Sequence, residues 1–230
     1  MLSGHEHLLH PNLVDHGAEH FQGVLEADEL SSLADICQRA GQEAPGRRIS
    51  GDDQLRELLD PRGCLNKLAV AILGTAARPV RCVLFDKSAD RNWSLGWHQD
   101  RTIAVRERVD IPGFGPWTRK SGIVHVEPPF HYIVGMITLR AFLDPCEPDN
   151  GPLLVAPGSH ALGKVAESDI QSVVHACGQV ACLASHGDVW ICATSIVHAS
   201  EASRSATQRR LLMVDYSATE LPHPLQWAGI

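Results

Sequence analysis

Apolar and polar positions follow two different periods along this chain, and the change falls near Gly74. From Val24 to Ala40, Leu25, Leu30, Leu33, Ala34 and Cys37 share one stripe while Ser31 and Gln38 lie off it, the period of an amphipathic helix that Gly41 would end. A second helical stretch runs from Ser50 to about Leu73. In it Leu55, Leu58 and Leu59, then Leu65, Leu68, Ala69 and Ile72, recur at helical spacing, with a break at Pro61 to Gly63. Ser50, with Asp53 three residues on, resembles a weak capping box.

Beyond Gly74 the pattern is that of a β protein. Short apolar runs at Val80 to Phe85, His131 to Leu143, Leu153 to Ala156, Val180 to Ala184, Val189 to Ala193 and Arg210 to Tyr216 are bounded by Gly, Pro, Asp, Asn or other polar residues. Asn150-Gly151 predicts a tight hairpin, because both residues tolerate positive φ, and Pro157-Gly158-Ser159-His160 predicts a second turn. Successive strands without long intervening helices predict a sandwich or barrel rather than a parallel α/β sheet. Arg101 to Phe130, with seven Pro or Gly residues around Trp117 and His125, fits no element and is expected to be an irregular lid. The first twenty residues are expected to be a mobile leader.

Composition narrows the function. The 230 residues, 44% hydrophobic and 20% charged, supply one ordinary core, so a single domain spanning 1–230 is expected. Twenty Lys and Arg against twenty-seven Asp and Glu give a net charge of −7 without a basic cluster, which disfavours nucleic acid and anionic membrane surfaces. The longest apolar stretch, around Leu68 to Ala77, is too short to span a bilayer, and the start lacks a signal pattern, so a cytoplasmic protein is expected. Seven cysteines without a Cys-x-x-Cys pair indicate reduced thiols rather than disulfides or a zinc knuckle. Thirteen histidines against twelve aromatic residues prompt a search for a metal site. Five of them, His5, His7, His10, His16 and His20, lie in the expected leader, where no fixed geometry is available.

The informative segment is Asn92-Trp93-Ser94-Leu95-Gly96-Trp97-His98-Gln99-Asp100. Residues two apart in an extended chain project to one face, so His98 and Asp100 can offer an imidazole nitrogen and a carboxylate oxygen to one ion. Alone, His-x-Asp is a weak signal. It gains weight from a distant histidine, His198, at the end of the run that begins at Gly187-Asp188, with the cations Arg209 and Arg210 just downstream.

Taken with Leu84-Phe85-Asp86-Lys87, Val124-His125-Val126-Glu127-Pro128-Pro129, Leu139-Arg140, Leu143-Asp144, Asp149-Asn150-Gly151-Pro152-Leu153, Pro157-Gly158-Ser159-His160 and His198-Ala199-Ser200, these segments resemble the phytanoyl-CoA dioxygenase family of Fe(II)/2-oxoglutarate-dependent oxygenases over about Leu84 to Tyr216. The resemblance implies a mainly β fold, a cupin-like double-stranded β-helix or jelly roll with flanking N-terminal helices. It implies His98, Asp100 and His198 as iron ligands, with the remaining positions on the ion open to 2-oxoglutarate and O2. It also implies a buried cation for the far carboxylate of 2-oxoglutarate. Family spacing puts that cation eleven positions after the distal histidine, at Arg209, a choice that alternation cannot make because both faces of this strand are apolar. Arg210 is then an outward or interface charge. Asp100 favours hydroxylation, since related halogenases replace this carboxylate with a small residue.

Weaker candidates carry an ordinary reading beside the functional one. Ser200 resembles a hydroxyl that helps hold the cosubstrate carboxylate, and is equally read as a backbone cap. Thr138 and Gln99 are further candidates for cosubstrate contact. Arg140, inside an apolar strand, either closes a buried ion pair or binds an anionic group of substrate or cosubstrate. His125 and Trp117 either line the substrate pocket or are plain loop residues. The ends of the early helices are candidates for a homodimer interface. The leading expectation is an oxygenase that hydroxylates a small molecule with release of succinate and CO2. Its rival is a metal-binding cupin-like isomerase or small-molecule binding protein, which would have no need of a buried guanidinium at Arg209.

Overall fold

The two helical stripes fold as their spacing predicts, with shifted starts. In a computed structural model that describes residues 12–40, 46–205 and 207–230, helices occupy Ala27–Ala40 (α2), Asp53–Leu58 (α3) and Cys64–Leu73 (α4), preceded by one turn at Leu13–His16 (α1). The cap of α3 is Asp52 rather than Ser50, because the Asp52 carboxylate accepts the Leu55 N–H at 2.9 Å. His5, His7, His10 and Gly41 lie outside the described residues. Residues 12–20 are not a mobile leader: Ala18–Phe21 forms a strand (β1) whose backbone pairs with that of Val189–Ala193 (β11).

Eight strands build the frame: Arg78–Lys87 (β3), Leu95–His98 (β4), Met136–Phe142 (β8), Leu153–Val155 (β9), Val180–Cys182 (β10), β11, His198–Ser200 (β12) and Arg209–Ser217 (β13). One sheet has the order β1-β11-β8-β13-β3-β2, where β2 is Gly46–Arg48, and the other β10-β9-β12-β4. Consecutive strands of the eight alternate between the sheets, except that β9 and β10 are neighbours in the smaller one. This antiparallel two-sheet winding is the double-stranded β-helix.

The period of two along the larger sheet sorts its side chains. Cys82, Leu84, Leu139, Ala141, Ile191, Leu212 and Val214 pack outward against α2, α3 and α4, while Val83, Phe142, Trp190, Leu211 and Met213 face the barrel interior. All seven residues of β8 are buried, which is why its sequence is apolar on both faces except for Thr138 and Arg140.

Three further expectations change. The run from His131 begins as a helical turn, His131–Val134 (α5), and becomes strand only after Gly135. Asn150-Gly151 does not close a hairpin, since β8 and β9 belong to different sheets. Instead the Asn150 side chain accepts from Glu147 N and donates to Pro145 O, so the turn passes the chain between the sheets. The stretch 101–130 is not irregular. It contains Ile103–Val105 (β5), Trp117–Lys120 (β6) and Ile123–Val126 (β7), an antiparallel sheet whose Ile103, Val105, Val124 and Val126 pack with Ile133, Leu225 and Trp227. Strands of three or four residues between prolines leave too short a pattern to read.

Candidate functional site

The pairing register of the smaller sheet assembles the site. His98 at the end of β4 and His198 at the start of β12 are direct partners across the ladder, and their ring centroids lie 4.3 Å apart. Asp100 follows His98 by two residues, so ligand atoms of all three lie within 4.8 Å of one another. Each imidazole is oriented in the same way, with Nδ1 on the carbonyl two residues back: His98 on Gly96 at 2.8 Å and His198 on Ile196 at 2.9 Å. A proton on Nδ1 donating to those carbonyls leaves each Nε2 lone pair free for a metal. Burial pushes the His198 imidazolium down to about 4, keeping the ring neutral at physiological pH.

Asp100 is held by charge. Burial would raise its carboxyl, but Arg81 and the two imidazoles outweigh this and keep it below the usual carboxylate range. Arg81 approaches Asp100 at 3.8 Å and is itself fixed by Asp215, whose Oδ2 accepts from Nε at 2.5 Å. The other Asp215 oxygen accepts from Thr138 Oγ1 at 2.9 Å, and Thr138 meets Thr194 at 3.0 Å. A buried chain of polar groups thus runs from the larger sheet to the candidate ligand.

A cavity of about 690 Å³ opens beside these residues, within the size range of small-molecule sites. Its wall includes Arg140, Arg209, Ser200, Leu211, Met213 and Trp97. Arg209 is buried; among the described residues its Nη1 meets Cys146 Sγ at 3.8 Å and its Nε has no partner. Opposite it across the ladder stands Lys87, fully buried, donating to Ser200 Oγ at 3.1 Å and Glu201 O at 2.5 Å, with its ammonium 4.6 Å from the Trp93 ring centre. Burial and the Arg209 charge lower the Lys87 ammonium to about 8. Gly151 is required here: at φ 70° its missing Cβ would meet Lys87 Nζ at 2.8 Å and Glu201 O at 2.6 Å. Arg210 points the other way and forms a two-pronged pair with Asp144, at 2.7 and 2.8 Å.

The weaker candidates divide. Ser200 and Arg140 line the cavity. Gln99 borders it, but its amide is engaged with Gly163 O, Ser195 O and Val165 N and serves to tie two loops together. Thr138 lies behind the wall in the Asp215 chain. Neither His125 nor Trp117 lines the cavity: Trp117 belongs to the cluster of the three-stranded sheet, under the Arg108 guanidinium, and His125 is fully buried. Sequence reasoning misses Arg81 and Asp215 and matches Lys87 to the family pattern without a role, although each is a charge within or beside an apolar strand, the same signal that marks Arg140.

A family model described as phytanoyl-CoA dioxygenase matches residues 13–211. No curated protein matches the sequence. Among solved structures, AviO1 from Streptomyces viridochromogenes Tue57 is 22% identical, with 91% of this chain and 93% of that chain covered and a TM-score of 0.64. EctD from S. alaskensis, solved with 2-oxoglutarate and 5-hydroxyectoine, is 18% identical, with 95% and 77% covered and a TM-score of 0.67. SnoN from nogalamycin biosynthesis, described as a non-heme alpha ketoglutarate dependent epimerase, is 17% identical, with 89% and 77% covered and a TM-score of 0.66. At these identities the likeness speaks to the fold.

Proposed function

The chain belongs to the phytanoyl-CoA dioxygenase family, and on that premise we propose that it is a mononuclear non-haem Fe(II)- and 2-oxoglutarate-dependent oxygenase hydroxylating a small molecule, with release of succinate and CO2. The observation that carries this reading is the pairing of His98, Asp100 and His198 with a buried, underpartnered guanidinium at Arg209 on the wall of one cavity. Two neutral imidazoles and one carboxylate suit Fe(II) and leave coordination positions for other groups. Arg209 lacks an acceptor for its Nε, and a carboxylate supplies one; a metal-binding isomerase would have no use for that charge.

When bound, Fe(II) and 2-oxoglutarate supply the oxidising chemistry with O2 as oxidant. His98 and His198 hold the metal through Nε2, their Nδ1–H groups anchored to backbone, and Asp100 completes the set under the hold of Arg81. Arg209 and the Ser200 hydroxyl bind the far carboxylate of the cosubstrate. Lys87 stands behind Ser200, orients its hydroxyl and adds positive charge. Arg140 acts electrostatically on Asp100, His198 and Arg209 at once, and in this reading it meets the cosubstrate's near carboxylate. The apolar wall of Leu211 and Met213 keeps water from the reacting centre. The chain is read as one oxygenase domain working in the cytoplasm; among the described residues no helix is long and apolar enough to cross a membrane.

Product analysis tests the reaction class. Incubation with Fe(II), 2-oxoglutarate, O2 and a panel of small acids should yield Fe(II)-dependent succinate and a product one oxygen atom heavier. A second outcome, suggested by the epimerase described among similar folds, is succinate with a product of unchanged oxygen count, which would exclude hydroxylation. Absence of succinate with every compound would count against the oxygenase reading itself.

A further inference from the structure

The charge of the cavity runs against that of the chain. With a net charge of −7 overall, the protein still lines this one space with Arg48, Arg81, Arg101, Lys120, Arg140 and Arg209 against only Asp100 and Glu167. Some of these cations have an evident occupation. Arg81 is tied to Asp215 and Asp100, and Arg101 to Glu167 at 3.5 Å and Val165 O at 2.8 Å. Arg140 and Arg209 sit together on the interior face of β8 and β13, where the proposed cosubstrate lies.

Arg48 and Lys120 remain. Among the described residues neither has a carboxylate partner. Their contacts are long ones to hydroxyls: Arg48 Nη1 to Ser121 Oγ and Lys120 Nζ to Thr102 Oγ1, both 3.4 Å. Among the described residues the buried Arg48 Nε has no partner. Arg48 comes from β2, opposite Val83, and Lys120 from the end of β6, more than seventy residues later, so two separate elements bring like charges to one wall. Partial burial and the Arg81 charge lower both cations, and Arg48 lowers Lys120 further. Among the described residues Asp215 and Asp100 offset part of this for Arg48, and Asp100 for Lys120, but Asp215 is engaged by Arg81 and the metal reading already uses Asp100. Among the described residues the adjoining His125 also leaves its Nε2 without a partner, and burial together with Arg48, Arg81 and Lys120 keeps it neutral, down to about 4.

Position separates this pair from the cosubstrate cations. Arg209 lies opposite Lys87 in the ladder and Arg48 opposite Val83, four residues farther along β3, or about 13 Å at the usual strand rise. A group bound between Arg48 and Lys120 therefore enters at the Arg81 and Asp100 end of the cavity, beside the metal ligands. A planar guanidinium with free donors and a flexible ammonium together match the oxygens of an oxyanion.

We propose that Arg48 and Lys120 form an oxyanion subsite that recognises the substrate, so that the natural substrate is a small acid carrying a carboxylate or phosphate ester rather than a neutral molecule. The assignment of the bound acid as substrate rests on the oxygenase reading; the anion subsite itself does not.

Calorimetric titration of the protein saturated anaerobically with Fe(II) and 2-oxoglutarate tests it, using hexanoate, hexyl phosphate and hexanamide as probes of one chain length. At least one acid should bind about tenfold more tightly than the amide, or about 1.4 kcal/mol, and the stronger of the two identifies carboxylate or phosphate. Arg48→Gln and Lys120→Gln should each weaken that acid about fivefold or more while leaving the affinity for 2-oxoglutarate within about twofold, which also reports that each variant is folded. Equal binding of all three probes, no binding of any, or acid binding unchanged in both variants would overturn the subsite. If the protein fails to bind 2-oxoglutarate yet still prefers the acid, the oxygenase reading fails and the subsite stands.

Discussion

Arg209 and Arg210 are adjacent, chemically identical and placed in opposite environments. Arg209 is turned into the barrel with an unpartnered Nε, whereas Arg210 faces Asp144 at the border of the sheet. Alternation along β13 could not tell them apart, because Leu211 and Leu212 are both buried, one inside the barrel and one against the helices. The distinction has a measurable consequence. Removing a buried cation that meets a carboxylate costs about 2–5 kcal/mol, so Arg209→Ala should raise the 2-oxoglutarate concentration needed for half-saturation by about 30-fold or more. Arg210→Ala breaks a pair that is partly open to solvent and should change it by less than about threefold. Equal effects in a 2-oxoglutarate titration of the two variants would mean that the wrong arginine has been assigned.

At the scale of elements, the sequence misleads where tertiary pairing supplies what local pattern lacks. Ala18–Phe21 reads as part of a polar leader, yet it completes the larger sheet by pairing with β11. The turn at Gly187-Asp188 holds it there: the Asp188 carboxylate accepts from Gly23 N at 2.8 Å and Ser185 N at 2.7 Å and meets His20 Nε2 at 2.9 Å, while the His20 ring stacks on Trp190. Gly187, at φ 85°, also lets its carbonyl accept from Val24 and Leu25, and a Cβ there would come within 3.1 Å of Leu25 O. Asp188→Ala should strip β1 of these acceptors and cost about 2–4 kcal/mol. For a chain of this size that lowers the melting temperature by about 5–15 °C. An unchanged melting temperature would contradict the docking of β1 as an integral strand.

Across the whole molecule, what could be read from sequence was whatever the local period or the spacing carries. The helix stripes, the apolar strands and a sandwich or barrel follow from alternation and length, the double-stranded β-helix from the family resemblance, and the trio His98, Asp100 and His198 from spacing joined to that resemblance. The three-stranded sheet stayed hidden because its strands are too short for a period to show, and Arg48 and Lys120 because only the fold brings β2 and β6 to one wall. Arg81 and Asp215, which hold Asp100 in place, are legible only as a pair across the β3–β13 ladder. Central to the account is that His98, Asp100 and His198 hold one Fe(II) to which 2-oxoglutarate can bind. Anaerobic addition of Fe(II) and then 2-oxoglutarate, followed by visible absorbance, tests this most directly. The wild-type protein should develop the weak metal-to-ligand charge-transfer band of that complex, and His198→Ala and Asp100→Ala should not. A wild-type protein without the band, or a band retained at full strength in either variant, would contradict the account.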